Sequence, residues 1–188
     1  MFDRIQRVLK DSGTVFLSID DVYQSTAPGT HNTSSNLNKK TSNAQGTQYR
    51  FDSGLQAKST VCMPERVLVK LAENGWVVRN KIVWIKTNPL PEPSAVDRFQ
   101  QSWEPIFLLT KQPQYTFNEE LNTTTDTWEI ATSGRQTNHP APLPIKVCDK
   151  CITAGCPQDG VVLDPFCGSG SVCIAAEKRN RDYIGIDM

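Results

Sequence analysis

The chain is predicted to fold as an α/β domain around a sheet whose strands run into acidic residues, and three observations predict it. Near the carboxyl end the apolar run Val161-Val162-Leu163 meets Asp164, and a glycine-bearing turn, a helix-like segment and a second apolar run ending in Asp187 follow. Near the amino end a nearly unbroken apolar run over 14–19 also ends in acids, Asp20 and Asp21. An apolar run of this kind suits a strand buried on both faces, as in a parallel sheet, and ligands bind at the carboxyl edge of such sheets. At 188 residues the chain fits one domain, 1–188, with a core of its own.

In chain order, residues 1–10 place Phe2, Ile5, Val8 and Leu9 on one face and Arg4, Arg7 and Lys10 on the other, an amphipathic helix stopped by Asp11-Ser12-Gly13. The strand over 14–19 follows. From 24 to 60 the composition turns to Ser, Thr, Asn, Gln and Gly. Such a stretch buries too little apolar surface to offset its chain entropy and is expected to be a mobile loop. Lys39 and Lys40 make it mildly basic, open either to a phosphate backbone or to water. Residues 63–74 read as a helix, with Pro64 in its first turn, Val67, Leu68 and Leu71 inward, and Gly75 ending it. A long strand over 76–85 is broken by Asn88-Pro89-Leu90-Pro91, a second runs over 103–110, and 115–117 suggests a short third. Arg98, ahead of the second strand, can meet a phosphate or form a surface ion pair.

Charge and cysteines bound the function. Twenty basic and twenty acidic residues give a formal net charge of zero, so a nucleic-acid contact has to come from a local patch. No apolar stretch approaches the roughly 20 residues of a membrane span, and no signal peptide opens the chain; a soluble, cytoplasmic protein is expected. Of the six cysteines, Cys148 and Cys151 form a C-x-x-C, but a zinc site needs two further ligands and only Cys156 and His139 lie nearby. Reduced thiols and no metal are the expectation.

The stretch from Val161 to Asp187 carries the chemistry. Gly168 and Gly170 let the backbone approach a ligand without a side chain in the way. The helix that begins there aims free N–H groups and its positive dipole end at the same place. Asp187 lies about 20 residues beyond the glycines, the separation at which an acid accepts hydrogen bonds from ribose hydroxyls. Ser171, Val172 and Cys173 stand where a dinucleotide fingerprint has its third glycine, so the ligand need not be a dinucleotide.

Specific motifs add a resemblance. D-P-F-C-G-S-G-S, from Asp164 to Ser171, resembles the cofactor loop D-P-F-x-G-S-G-T of DNA amino-methyltransferases that use S-adenosylmethionine. R-V-L-K-D-S-G-T-V-F-L-S-I-D-D is similar to the segment that follows that family's catalytic motif. G-W-V-V-R-N-K-I-V-W-I-K-T-N-P-L-P, then D-R, then W-E-P-I-F-L-L-T-K look like further family motifs, with Trp103 and Pro105 departing from the pattern. D-T-W-E-I and N-H-P-A-P-L-P-I-K match the motifs ahead of the loop, with Leu143 and Ile145 in place of the usual aromatic and acid. The resemblance implies a Rossmann-like methyltransferase sheet. It implies that Pro142, Leu143, Asp164, Phe166, Gly168, Ser169, Gly170 and Asp187 hold S-adenosylmethionine, and that DNA is the partner, with Arg98, Lys39 and Lys40 as weak candidates for contacting it.

The motif order, cofactor loop last, is typical of the permuted class of these enzymes. The reaction implied is transfer of a methyl group to an exocyclic amine of adenine or cytosine. The family's tetrapeptide of Asp, Ser or Asn, two prolines and an aromatic has no usable counterpart here, and the pattern places it immediately before Met1. No catalytic residue is therefore assigned. The chain is expected to be a fragment or split product that lacks the strand between those ending at Asp164 and near Ile19, which cuts the sheet at its centre. A second chain supplying that strand and motif, or a homodimer, is expected to cover the exposed edges. A non-catalytic cofactor-binding or assembly module stands beside this, as do a nicotinamide enzyme and methylation of RNA or protein on the same sheet type.

Overall fold

A computed structural model describes residues 1–24, 54–89, 91, 96–133 and 142–187. Six strands and four α-helices occur among them, in two separate sheets. Strands β1 (Thr14–Ser18), β2 (Val77–Ile85), β3 (Trp103–Thr110) and β4 (Thr127–Glu129) form one sheet in the order β1-β3-β2-β4. β3 runs antiparallel to both its neighbours, and β4 is parallel to β2. β5 (Val161–Asp164) and β6 (Asp182–Gly185) form a parallel pair on their own. The outer edges of β1 and β5 carry no strand among the described residues, which is the division of the sheet expected above.

Alternation along the strands sorts the core into two layers. Val15 and Leu17 of β1 and Phe107 and Leu109 of β3 face one side, where Phe2, Ile5 and Leu9 around helix α1 (Phe2–Val8) and Leu71 of helix α2 (Met63–Glu73) close over them. Phe2 meets the Trp76 ring edge-on at 6.2 Å. Phe16 and Ile106 face the other way, into a cluster with Ile82, Trp84, Trp128, Ile130 and Val147 of helix α3 (Ile145–Gly155). A third cluster lies between α3 and helix α4 (Ser171–Lys178), built on Cys148, Ile152, Ala175 and Ala176. α3 thus packs on both sheets' layers.

Several sequence expectations need correction. β1 is half-buried at every residue and antiparallel to its partner. The strand sealed on both faces is β3, whose residues 105–110 are all buried, because the layer of α1 and α2 covers one face and the cluster of Trp84, Trp128 and Val147 the other. Pro105, which donates no ladder hydrogen bond, fits because the β1 register stops at Ile106 and leaves β3 a neighbour only on the β2 side there. Val8 is 68% exposed. It lies about 100° around the helix from Leu9, at the margin of the apolar stripe. Residues 115–117 form no strand: Thr116 N–H donates to Ser12 and Asn118 N–H to Ala154, two separate segments, while Tyr115 engages the Arg79 side chain. β4, around Trp128, is the strand that periodicity missed.

Most of the polar segment 24–60 lies outside the described residues, Lys39 and Lys40 included, but its two ends are tied together. Gln24 N–H donates to Ser59 at 2.8 Å, Lys58 N–H donates to Gln24 at 3.0 Å, and Tyr23 bridges Thr60. Among the described residues no helix is long and apolar enough to cross a membrane.

Candidate functional site

The loop between β5 and α4 is shaped by its own short-range hydrogen bonds. The Asp164 carboxylate accepts from Phe166 N–H at 3.0 Å, which turns the chain sharply at the strand end. Gly168 and Gly170 both take positive φ, 46° and 80°, a conformation that costs glycine nothing. Gly170 N–H closes the turn on the Cys167 carbonyl at 2.7 Å. A Cβ built on Gly170 meets nothing within 4 Å, so the space above it is open.

Asp187 is delivered to the same edge by the backbone. Ile186 N–H donates to the Asp164 carbonyl, and Cys167 N–H donates to the Ile186 carbonyl, both at 2.9 Å. The β5–β6 ladder continues past the strand ends, so Asp187, exposed, sits beside the start of the glycine loop. Phe166 projects from that loop with 66% of its surface exposed. Ser169 lies 3.5 Å from Ser171, hydroxyl to hydroxyl.

Pro142 and Leu143 lead into α3, and Leu143 packs in both clusters that α3 touches. Ile145 at the start of α3 and Val172 at the start of α4 share the second of these, which places the two helix beginnings together. Neither helix has a side-chain cap or an acid in its first turn. α2 makes the contrast: the Asp21 carboxylate, from beyond β1, accepts from Cys62 N–H at 3.0 Å and Met63 N–H at 2.9 Å at its start. Among the described residues, the positive end of α2 thus meets a carboxylate and those of α3 and α4 meet none. In the sequence Asp21 reads only as an acid at a strand end, and its pairing with residues 41 and 42 positions away has no sequence signal.

Arg98 lies elsewhere. Its guanidinium stacks on the Tyr23 ring, 4.0 Å from the centroid. Its neighbours are tied down as well: Asp97 pairs with Lys58 at 2.5 Å, and Gln101 donates to Asp20 at 2.6 Å. A cation seated over a ring 75 residues away in sequence leaves no local trace. Asn88 is held by Thr132, whose N–H donates to its side chain at 2.6 Å. His139 lies outside the described residues. Among the described residues no three His, Cys, Asp or Glu side chains gather as a metal site.

An α/β sheet with a glycine loop leading into an uncapped helix, and an acid at the tip of the next strand, defines a nucleotide-type cofactor fold. Comparison with known proteins narrows it. A family profile described as DNA methylase, of the N6/N4 type, matches residues 1–188. The chain belongs to that N6/N4 DNA methylase family. It is 32% identical over 198 residues to the type II methyltransferase M.Cfr9I of Citrobacter freundii, covering 100% of this chain and 65% of that protein. To M.SmaI of Serratia marcescens it is 32% identical over 201 residues, covering 100% of this chain and 67% of the relative. The chain thus spans about two thirds of the length of these relatives. Among solved structures, M1.HpyAVI in complex with SAM is 31% identical, with a TM-score of 0.59 over 67% of this chain and 63% of that one. The PvuII cytosine-N4-specific DNA methyltransferase shares the fold, with a TM-score of 0.72 over 98% of this chain and 62% of that one at 18% identity.

Proposed function

We propose that this chain carries the S-adenosylmethionine-binding half of a DNA amino-methyltransferase, and that methyl transfer needs a catalytic element contributed by a further segment or a second chain. The observation that carries the cofactor assignment is the pair of helix starts, α3 and α4, which among the described residues have neither caps nor acids beside the open glycine loop. Orphan N–H groups and two positive dipole ends suit a carboxylate such as the one on the methionine end of the cofactor. In this assignment Pro142 and Leu143 set the entry to α3. Gly168, Ser169 and Gly170 let the ligand lie against the backbone. The carboxylate of Asp187 accepts from ribose hydroxyls, Asp164 holds the turn, and exposed Phe166 offers a ring to the flat base. The 31% identical M1.HpyAVI has been solved with SAM, which supports the same ligand here.

The cofactor supplies an electrophilic sulfonium methyl. When bound, it would make that methyl available to the exocyclic nitrogen of adenine or cytosine. The amine lone pair is delocalised into the ring, so the enzyme has to supply an acceptor that frees it and a platform for the flipped base. No described residue is assigned either task. DNA as the substrate, with Arg98, Lys39 and Lys40 as phosphate contacts, and action in the cytoplasm are part of the same proposal.

The need for a second chain or second copy rests on the open edges of β1 and β5 and on the exposed apolar surface of the smaller sheet, where Val161, Tyr183 and Ile184 are each about half exposed. Two measurements test the proposal. Calorimetry with S-adenosylmethionine is expected to show binding that Asp187→Ala weakens by about 1 to 3 kcal/mol; equal affinities remove the ribose role. Labelled-methyl incorporation into mixed DNA by the purified chain is expected to stay at background, and robust incorporation overturns the requirement for a further element. Binding without transfer, even when the missing motif is supplied in trans, favours a non-catalytic cofactor-binding module.

A further inference from the structure

Cys167 and Cys173 have no role in the site as described, yet they flank its glycines. Cys167 lies in the loop after β5 and Cys173 in the first turn of α4, both half-buried. Both sulfurs converge on Gly185 of β6: a Cβ built there stands 2.9 Å from the Cys173 sulfur and 3.0 Å from that of Cys167. The two thiols share the space vacated by one missing side chain. Burial raises the Cys173 pKa above the ordinary thiol value, and the adjoining Cys167 and the Asp164 carboxylate push it the same way. Cys173 thus holds its proton more tightly than an ordinary thiol. The thiols of α3 differ, since Cys148 is only 2% exposed and burial pushes its pKa up to about 12, and burial likewise raises that of Cys151. Thiols packed this deeply into apolar clusters are inert toward oxidants.

We propose that Cys167 and Cys173 form a reversible disulfide that brackets Gly168, Ser169 and Gly170 and locks the glycine loop in a form of low cofactor affinity. A peroxide is the oxidant. It transfers one oxygen to the Cys167 sulfur, giving a sulfenic acid and water. The Cys173 sulfur then attacks the sulfenic sulfur; the S–S bond forms, the S–O bond breaks, and the departing hydroxide takes the Cys173 proton as water. Two thiols lose two electrons in all and the peroxide is reduced to water, while a dithiol reverses the change by exchange. Bonded sulfurs stand about 2 Å apart, so closure draws the first turn of α4 onto the loop. The positive φ angles of Gly168 and Gly170 must then readjust.

The test starts from the full, reduced chain treated with hydrogen peroxide and digested without reductant. Mass spectrometry is expected to find a Cys167–Cys173 cross-linked peptide, reversed by dithiothreitol, with Cys148 and Cys151 still free. Sulfinic acid at Cys167 beside a free Cys173, or cross-links elsewhere, overturns the disulfide. The affinity effect rests on the cofactor assignment above and is read separately, by calorimetry with S-adenosylmethionine. Oxidised chain should bind about tenfold more weakly than reduced chain, with affinity restored by reductant, and Cys173→Ser should bind normally and ignore peroxide. Equal affinity of the oxidised and reduced forms overturns the lock. If reduced chain fails to bind, the cofactor assignment falls, and amide exchange across the glycine loop decides the lock: slower exchange on oxidation supports it and unchanged exchange overturns it.

Discussion

Trp84 shows how much one polar atom in the core can carry. Its indole N–H donates to the Ile130 carbonyl at 2.8 Å in a buried setting, fastening the chain just after β4 to the middle of the larger sheet. Trp84→Phe keeps most of the apolar volume but leaves that carbonyl without its donor, so a loss of about 1 to 3 kcal/mol is expected in denaturant titration. Gly170 poses the opposite case. A methyl group there meets no atom, so Gly170→Ala costs only the backbone penalty of a φ near 80°, about 1 to 2 kcal/mol. Stability falling by that amount together with a loss of S-adenosylmethionine affinity is the expected result; a large stability loss would show a packing role that the open space denies.

At the scale of elements, α3 and α4 are held together by the cluster between them and by a bidentate pair, Asp149 to Arg179, at 2.5 and 2.6 Å. The Arg179 hydrogen bond holds the Asp149 carboxyl below its ordinary value of 3.8. A depressed folded-state pKa adds stability that is fully present above the unfolded value and is lost as pH falls through the folded one. With Arg179 nearly half exposed, solvent screening limits the pair to about 0.5 to 1 kcal/mol. Asp149→Asn is therefore expected to lower the denaturant midpoint by that margin at pH 7 and to converge with the parent as pH falls through the depressed Asp149 value. The elements legible in the sequence were those whose signals are local. The β5–α4–β6 unit, with its loop and Asp187, was read nearly residue by residue, because its turn chemistry and spacing lie within one short stretch. β3 matched its expected 103–110 span for the same reason. Strand partners were not legible: an apolar run says that β1 is covered, not that its neighbour is antiparallel or that one edge is open. At three residues, β4 is too short for any period to register. The uncapped start of α3 acquired meaning only beside α2, whose cap arrives from the far end of β1.

Taken whole, the molecule is two sheets of unequal strength joined through helices. The four-stranded sheet has helices on both faces and an interior strand, β3, buried from Pro105 to Thr110, while β5 and β6 stand as a two-stranded pair with exposed apolar side chains. Isolated two-stranded sheets are marginal in water, and local opening follows local burial. Amides of β5 and β6 are expected to exchange at least about tenfold faster than those of β2 and β3; uniform protection would mean that the smaller sheet is sealed by an association in solution. Gly155, the last residue of α3, gives this arrangement a mechanical consequence. A Cβ placed on it would stand 2.1 Å from the Thr14 hydroxyl and 2.9 Å from the Phe16 ring, both on β1. At its carboxyl end α3 rests on the larger sheet with no clearance, while its other end stands beside the glycine loop. One methyl at Gly155 would act as a wedge under a beam, lifting the helix at one end and tilting the ligand-facing end at the other. A defect at the far end of α3 would then surface as a misaligned binding edge.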